Sequence, residues 1–332
     1  MMERMENVNS AFTELREQIC TQGLLEASPA FYVRRVIVAL VLVGVSIAIL
    51  ATTTNFWIQM ANAILLAFSL VQLTFFLHDV GHGQVTGSHW HWLMSMWFSA
   101  MLGGSLDWWI YKHNRHHAFP NQPGYDPDVR IQLLAFSEDQ AQEKKGLYRV
   151  IARHQNILFI PMLLGESWHL RYKSIMYLLH QRTVWAIVNV LLIAMHVAFF
   201  VALLLVFLPA WTALAFALVH WGLLGLYLGL TFAPNHKGMP MMEHGTIPGY
   251  LEQQVLTARN VRGGWLVDML YGGLNYQIEH HLFPSMPRNR LKHAAPIVEK
   301  FCRERGVSYS AVGVGESFRE IFGHLSRVGS SI

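Results

Sequence analysis

Four long runs of apolar residues dominate the hydrophobic pattern of this chain. They cover residues 36–52, 56–77, 184–208 and 211–232. Each run approaches or exceeds the roughly 20 residues that a helix needs to cross a bilayer. Only a short turn separates the first run from the second, and another separates the third from the fourth. The pattern therefore predicts four transmembrane helices arranged as two hairpins.

The N-terminal segment, residues 1–35, is polar but carries an apolar stripe. Phe12, Leu15 and Ile19 recur at helical spacing, which predicts an amphipathic helix that ends near Gly23. The segment has no early apolar core of the kind found in a secretory signal peptide, so none is expected.

The semi-apolar stretch 89–109 is expected to form an interfacial or re-entrant helix. A fifth crossing there would place the histidine-rich segments on opposite sides of the membrane. We therefore predict an all-α integral membrane protein with one domain, residues 1–332. Two further segments, residues 111–183 and 236–332, are expected to form a cytosolic helical cap that holds a two-metal site.

Composition and charge support a membrane protein. The chain is 53% hydrophobic and 14% charged, whereas soluble domains average about 25% charged residues. Two cysteines are too few for a disulfide framework, a four-cysteine metal site or an iron–sulfur cluster. No Lys/Arg-rich run indicates nucleic-acid binding.

The distribution of basic residues predicts the topology. No Lys or Arg lies between Arg35 and Lys112, and none lies between Arg182 and Lys237. By the positive-inside rule, the N-terminus, the central loop and the C-terminal segment face the cytosol. We expect a multi-pass protein of a bacterial cytoplasmic membrane or the endoplasmic reticulum, with its site on the cytosolic face.

Histidines form three groups at helical spacing, of which the first lies at the end of the second apolar run. Positions i, i+3 and i+4 share one helical face, so imidazoles at that spacing can reach one metal ion. The groups are His78 and His82; His113, His116 and His117; and His280 and His281, preceded by Gln277. The first pair alone could instead meet lipid headgroups, and the second group could be a solvated basic face.

The fourth apolar run is followed by His236, which could be a ligand or could meet the last carbonyls of a helix. With it, up to eight imidazoles converge on one membrane face. One zinc ion needs only four ligands, so eight imidazoles favour two metal ions. Imidazole suits iron, zinc, copper and nickel alike. By contrast, His196 and His220 lie inside apolar runs without a neighbouring histidine, and helix–helix hydrogen bonding explains them.

In this order and spacing, the groups resemble the three histidine boxes of the membrane fatty acid desaturases. The most specific pieces are residues 112–117 with Pro120, Asn121 and 126–128, and residues 272–284. The resemblance extends from the N-terminal helix to about Arg290. Gln277 at the head of the third box is similar to the branch with front-end, linoleoyl-CoA-type and some bacterial acyl desaturases. No fused cytochrome b5 is expected, because the chain lacks a His-Pro-Gly-Gly haem signature.

The resemblance implies two Fe²⁺ ions held by the three boxes and by His236. Whether Gln277 is a ligand stays open, and no catalytic residue is expected beyond the metal centre. Candidates for orienting the imidazoles are four carboxylates, for which ordinary loop and surface charge is the alternative. They are Asp79, Asp126, Asp128 and Glu279.

The implied reaction introduces a double bond into a fatty acyl chain, carried by CoA or by a lipid, with O₂ as co-substrate. Electrons would come from a separate donor, a ferredoxin or a cytochrome b5 with an NAD(P)H reductase. One alternative is a related di-iron lipid hydroxylase or ketolase, which would insert oxygen. Another is a non-enzymatic membrane metal-binding protein.

Overall fold

The computed structural model describes residues 2–85, 91–243 and 249–332, with side chains from residue 11 onwards. Two histidines, His89 and His244, lie outside the described residues. The described chain is almost entirely helical, which confirms the predicted all-α class. Its helices are α1 Met2–Thr21, α2 Pro29–Thr52, α3 Phe56–Gly81, α4 His91–Leu102, α5 Leu106–Ala118, α6 Glu138–Glu143, α7 Gly146–Arg153, α8 Gln155–Leu163, α9 Glu166–Gln181, α10 Val184–Phe207, α11 Ala210–His236, α12 Tyr250–Leu256, α13 Gly264–Leu270, α14 Gln277–Leu282, α15 Arg288–Glu304 and α16 Val314–Ser330.

Four of these helices, α2, α3, α10 and α11, are long and apolar enough to cross a membrane. The four predicted transmembrane runs are therefore confirmed as helices, with different ends. Helix α2 begins at Pro29 rather than at residue 36, because a proline at the first helical position is already set in helical φ. Helix α11 continues beyond residue 232 to His236, which places that imidazole in its last turn.

The residues form two compact units. The apolar-helix unit comprises residues 28–111 and 160–230, and the histidine unit comprises residues 1–27, 112–159 and 231–332. The expectation of one domain over residues 1–332 stays a prediction.

In the apolar-helix unit, α2 packs on α3, and α4 and α9 pack on α10. Large apolar side chains cover its outside, among them Ile37, Val41, Ile187, Met195 and Phe199. Such a continuous apolar surface is unfavourable in water and suits contact with lipid chains. The chain is accordingly a membrane protein.

The stretch expected to form one helix over residues 89–109 is broken into α4 and α5. The break lies at Gly103, whose φ of +65° belongs to the left-handed region that favours glycine. A Cβ atom at this position would lie 2.6 Å from Cδ2 of His196. The close approach of α10 thus requires a glycine at the break.

In the histidine unit, the N-terminal helix α1 buries Leu15 and Ile19 completely, two of the three residues of its apolar stripe. These two side chains join a core with residues of α12, α14 and α15. The sequence did not predict a short parallel pair of strands, β1 Asn260–Arg262 and β2 Ala311–Gly313. This pairing lies at the edge of the site described next.

Candidate metal centre

Three helical segments bring histidines together in the histidine unit. The end of α5 carries His113, His116 and His117, the last turn of α11 carries His236, and α14 carries His280 and His281. The helical spacing predicted for the second and third groups is confirmed. Five of the six imidazoles are buried, and His117 is partly buried.

One group consists of His116, His236 and His281, called here the Nε2 cluster. One nitrogen of each imidazole lies within 4.8 Å of the others. The Nε2 atoms of His116 and His236 are 3.3 Å apart. The ring centre of His281 lies 5.0 Å from that of His116 and 4.6 Å from that of His236. Three imidazoles at these distances could hold one metal ion.

Each imidazole of the Nε2 cluster is fixed from behind through its Nδ1 atom. His116 Nδ1 lies 3.0 Å from a carboxylate oxygen of Asp126. His236 Nδ1 lies 2.9 Å from the carbonyl oxygen of Thr257, and His281 Nδ1 lies 2.8 Å from Oε1 of Gln254. All three partners are oxygen acceptors, so each Nδ1 carries the hydrogen.

Gln254 is itself fixed in orientation. Its Nε2 donates to the carbonyl oxygen of His117 at 3.0 Å, which leaves its Oε1 to face His281. This bond excludes the reversed amide, because a carbonyl oxygen cannot donate.

Because each Nδ1 carries the hydrogen, each Nε2 has a lone pair that a metal ion could bind. His281 Nε2 is buried and has no hydrogen-bond partner among the described residues. A buried polar atom without a partner is costly unless it serves a function. Imidazoles that donate Nδ1–H to an oxygen and present Nε2 are the usual arrangement of metal-ligating histidines. The donor set therefore fits a metal ion.

The loop after α5 holds Asp126 in place. One carboxylate oxygen of Asp126 accepts from the backbone N–H of Asn121 at 2.8 Å, and the other accepts from that of Asp128, also at 2.8 Å. Asn121 has a φ of 54°, a left-handed conformation that asparagine adopts more readily than most residues. Its side chain donates to the carbonyl oxygens of His236 and Thr257, each at 3.3 Å. Asn121 thereby ties the second histidine box to the end of α11.

The other three imidazoles of α5 and α14 form a second group beside the first. The Nε2 atoms of His113 and His117 are 3.1 Å apart. The ring centre of His280 lies 6.1 Å from that of His113 and 4.8 Å from that of His117. The rings of His117 and His281 stack at 4.1 Å, which joins the two groups.

In the apolar-helix unit, the first histidine box lies at the end of α3. The rings of His78 and His82 are 4.8 Å apart, as their spacing on one helical face predicts. His78 Nδ1 lies 3.1 Å from the carboxylate of Asp79. Trp109 packs against His78 with ring centres 5.2 Å apart, and a Cβ atom on Gly81 would collide with that tryptophan at 2.3 Å.

The other two carboxylates singled out from the sequence have different partners. Asp128 forms an ion pair with Lys112 and lies 3.7 Å from His116 Nδ1. Glu279 is buried and accepts from Asn260 at 2.7 Å and from the Tyr309 hydroxyl at 2.8 Å. These two donors anchor the third box to β1 and to the segment before β2.

Charge in the site follows burial and the carboxylates. Burial alone would lower the pKa of His116, but Asp126 and Asp128 outweigh it and raise that pKa. Burial and the neighbouring imidazoles lower the pKa of His281 well below its usual value. Burial raises the pKa of Glu279 to about 7, against the effect of its two hydrogen bonds.

His196 and His220, which we expected to take part in helix packing, lie in the apolar-helix unit. Both are distant from the three histidine groups in sequence. His196 Nδ1 lies 3.1 Å from the carbonyl oxygen of Ala100, which joins α10 to α4. The ring of His220 packs 5.1 Å from that of Phe200. Both therefore take part in contacts between helices.

The side chains that orient the imidazoles were mostly missed from the sequence. Gln254 and Thr257 lie in and after the short helix α12, and Asn121 was noted only for its place in a family motif. Amides and backbone carbonyls carry no spacing signal of their own. Such residues are recognised only from contacts in the folded chain, such as the hydrogen bond between Asn121 and Thr257, which lie 136 positions apart in sequence.

Comparison with known proteins gives one matching family and several relatives, whose descriptions agree with each other. A family model described as fatty acid desaturase matches residues 55–313. The acyl-lipid (9-3)-desaturase of Physcomitrium patens is 31% identical over 337 residues, covering 96% of this chain and 62% of that protein. The Delta(5) fatty acid desaturase fat-4 of Caenorhabditis elegans is 30% identical over 330 residues, covering 92% and 71%. The Delta(6)-fatty-acid desaturase fat-3 of the same organism is 30% identical over 324 residues, covering 90% and 70%. The chain thus spans less than two thirds of the Physcomitrium patens protein.

Proposed function

The chain belongs to the fatty acid desaturase family, and from this premise we propose that it introduces a double bond into a fatty acyl chain in an O₂-dependent reaction. The acyl chain would be carried by CoA or by a membrane lipid. The names of the relatives differ in the position of the double bond, so no position is proposed.

The observation that carries the proposal is the Nε2 cluster. It supplies three neutral nitrogen ligands whose Nδ1–H groups are each held by an oxygen acceptor. We propose that His116, His236 and His281 bind one iron ion. A second ion would use His113, His117 and His280, with His78 and His82 completing the eight ligands expected from the sequence. The donor set alone would also accept zinc, copper or nickel, so the choice of iron rests on the family.

When bound, iron supplies the redox chemistry that activates O₂ and allows an unactivated C–H bond to react. The protein's own part is to bind and orient. Asp126 and Gln254 hold two of the imidazoles, and the carbonyl of Thr257 holds the third. Asn121 joins two of these supports. Burial of the imidazoles keeps bulk water from the ligands, and precise positioning of one methylene would decide which bond reacts.

The surroundings of this reaction are part of the same proposal. The four apolar helices support a multi-pass membrane protein, and the distribution of Lys and Arg supports a site on the cytosolic face. Two of the four electrons that reduce O₂ to water come from the substrate. The other two would come from a separate donor protein, a ferredoxin or a cytochrome b5 with its reductase.

The test is a fatty-acid profile of aerobic cells that express the chain, with double-bond positions determined by mass spectrometry. The matched control is His281→Ala at equal protein level, because that variant loses a ligand of the Nε2 cluster. We expect a new alkene with the wild-type chain alone. A new hydroxy acid instead would assign the chain to a hydroxylase, and an unchanged alkene yield in the variant would contradict the ligand assignment.

A further inference from the structure

Gln277 occupies the head of the third histidine box, where its side-chain amide lies beside the Nε2 cluster. Its Nε2 is 3.0 Å from Nε2 of His236, and only 4% of the residue is exposed. An amide offers two different ends to a metal position. Its oxygen can be a ligand, whereas its nitrogen has no basic lone pair and can only donate a hydrogen bond. The orientation of this amide therefore decides its role.

One chain of hydrogen bonds fixes that orientation from behind. Asn235 Nδ2 donates to the carbonyl oxygen of Leu274 at 3.1 Å. A carbonyl oxygen can only accept, so the end of Asn235 that faces it must be the NH₂ group. The same NH₂ group lies 2.9 Å from Oε1 of Gln277. Gln277 must then turn its oxygen towards Asn235 and its NH₂ group towards His236.

A second, independent chain gives the same answer from the other side. His236 Nδ1 lies 2.9 Å from the carbonyl oxygen of Thr257 and must donate to it. Its Nε2 is therefore an acceptor as long as no metal ion takes that lone pair, which matches an NH₂ group on Gln277 and would repel an oxygen. The reversed amide would place two NH₂ groups against each other at Asn235 and two acceptors against each other at His236.

From these contacts we propose that Asn235 is a positioning residue that locks the Gln277 amide with its NH₂ group facing the Nε2 cluster. Gln277 is not a metal ligand. It is a hydrogen-bond donor to a small non-protein ligand bound at that metal ion. The proposal rests on the proposed function, since it requires that the Nε2 cluster holds iron.

Iron content separates a ligand from a donor. The purified full-length chain in detergent is loaded with Fe²⁺ without oxygen, and iron per chain is measured after removal of excess metal. His281→Ala is expected to lose iron, because it removes a ligand. Gln277→Ala is expected to retain the wild-type iron content. Equal loss of iron in both variants would overturn the proposal by showing that Gln277 is a ligand.

Azide is the probe for the donor. The iron-loaded chain is oxidised and titrated with azide, and binding is followed by absorption. Gln277→Ala is expected to weaken azide binding about tenfold, since one hydrogen bond to an anion is lost. The nearly isosteric Gln277→Glu replaces the donor with an acceptor, and it is expected to weaken binding at least as much. Wild-type azide affinity in either variant would overturn the donor role.

The lock itself is tested without touching Gln277. In Asn235→Leu the amide of Gln277 is free to turn, so azide binding is expected to weaken towards that of Gln277→Ala while iron content is retained. If Asn235→Leu does not yield a monodisperse protein, Asn235→Asp serves instead, because its carboxylate attracts the NH₂ group of Gln277 and reverses the amide. Unchanged azide affinity in a folded Asn235 variant would overturn the lock.

These outcomes are distinct from those of the desaturation test. A chain that binds iron and shows the azide pattern but yields no alkene contradicts the proposed reaction and leaves the role of Gln277 standing. A wild-type chain that binds no iron under these conditions overturns both.

Discussion

Arg259 of the histidine unit and Arg171 of the apolar-helix unit are both buried but have opposite surroundings. In the histidine unit, Arg259 donates from Nε to the carbonyl oxygen of Pro234 and from Nη2 to that of Lys237, each at 2.8 Å. It also pairs with Glu320. In the apolar-helix unit, Arg171 makes one bond of 3.3 Å to the carbonyl oxygen of Ser167. Its Nε is buried without a hydrogen-bond partner in the part of the chain that the structure describes.

Aromatic rings replace part of the missing hydrogen bonding around Arg171. Its guanidinium carbon lies 5.5 Å from the ring centre of Trp168 and 5.8 Å from that of Trp221. Burial lowers the pKa of Arg171 to about 10. Burial also lowers the pKa of Arg259, against the effect of Glu320. Both side chains therefore remain cations at neutral pH, and they differ in how completely that charge is satisfied.

The difference shows where the fold is tightly specified. The last carbonyls of a helix have no intrahelical donors, and Arg259 supplies donors at the end of α11, directly around His236. Its bonds therefore belong to the structure that positions a candidate ligand. Arg171 closes no such network. Arg259 therefore belongs to a connected set of buried hydrogen bonds, whereas Arg171 makes a single hydrogen bond among aromatic neighbours.

The largest expected effect is on stability, and it tests this contrast directly. Arg259→Met removes the donors to the carbonyl oxygens of Pro234 and Lys237, of which the first contact is buried and the second partly buried, and we expect it to lower the free energy of unfolding by about 3 kcal/mol. Arg171→Met replaces a poorly satisfied cation with a flexible apolar side chain, so we expect a change within about 1 kcal/mol. The measurement is thermal unfolding by tryptophan fluorescence in one detergent. Equal decreases in melting temperature would remove the contrast.

Much of the fold could be predicted because local periodicity determines it. The apolar runs of α2, α3, α10 and α11 are set by the length of a bilayer crossing, and the histidine spacing on α5 and α14 requires a helix to place the rings on one face. The ends of the helices depended on single residues. Pro29 starts α2 earlier than the hydropathy does, and Gly103 breaks a stretch that looked continuous.

The support around the ligands could not be predicted, because it depends on long-range contacts between residue types that have many uses. Gln254 reaches His117 across 137 positions of sequence. The anchoring of Glu279 needs the hydroxyl of Tyr309, which lies just before β2 and is brought near Glu279 by the pairing of β2 with β1. A glutamine or a tyrosine in a short helix or loop gives no spacing pattern that distinguishes such roles.

The next expected effect is on metal affinity. It tests whether the hydrogen bonds that hold the imidazoles in the histidine unit affect metal binding. Gln254→Leu removes the acceptor that fixes His281 Nδ1–H, and we expect iron affinity to fall roughly 10- to 100-fold. Gln253→Leu is the matched control on the same helix, because its side chain bonds only the exposed carbonyl of Ala118. His220→Phe, in the apolar-helix unit, should leave iron affinity unchanged. Competition with a chelator measures all three, and an equal loss in the two glutamine variants would show that α12 acts only through general stability.

The smallest expected effect is a dependence of stability on pH, from a histidine of the same unit outside the ligand groups. His324 donates from Nε2 to the carbonyl oxygen of Phe136 at 3.0 Å, and burial lowers its pKa below the usual 6.5. The folded chain therefore binds this proton less readily than the unfolded chain, so its contribution is present above pH 6.5 and is lost as the pH falls. His324→Gln keeps a donor for the carbonyl and cannot titrate. We expect its melting temperature to fall less than that of the wild type between pH 7 and pH 5, with His169→Gln on the exposed side of α9 as control. Parallel profiles for wild type and His324→Gln would show that Phe136 and its surroundings tolerate the imidazolium, and that protonation of His324 does not destabilise the folded chain.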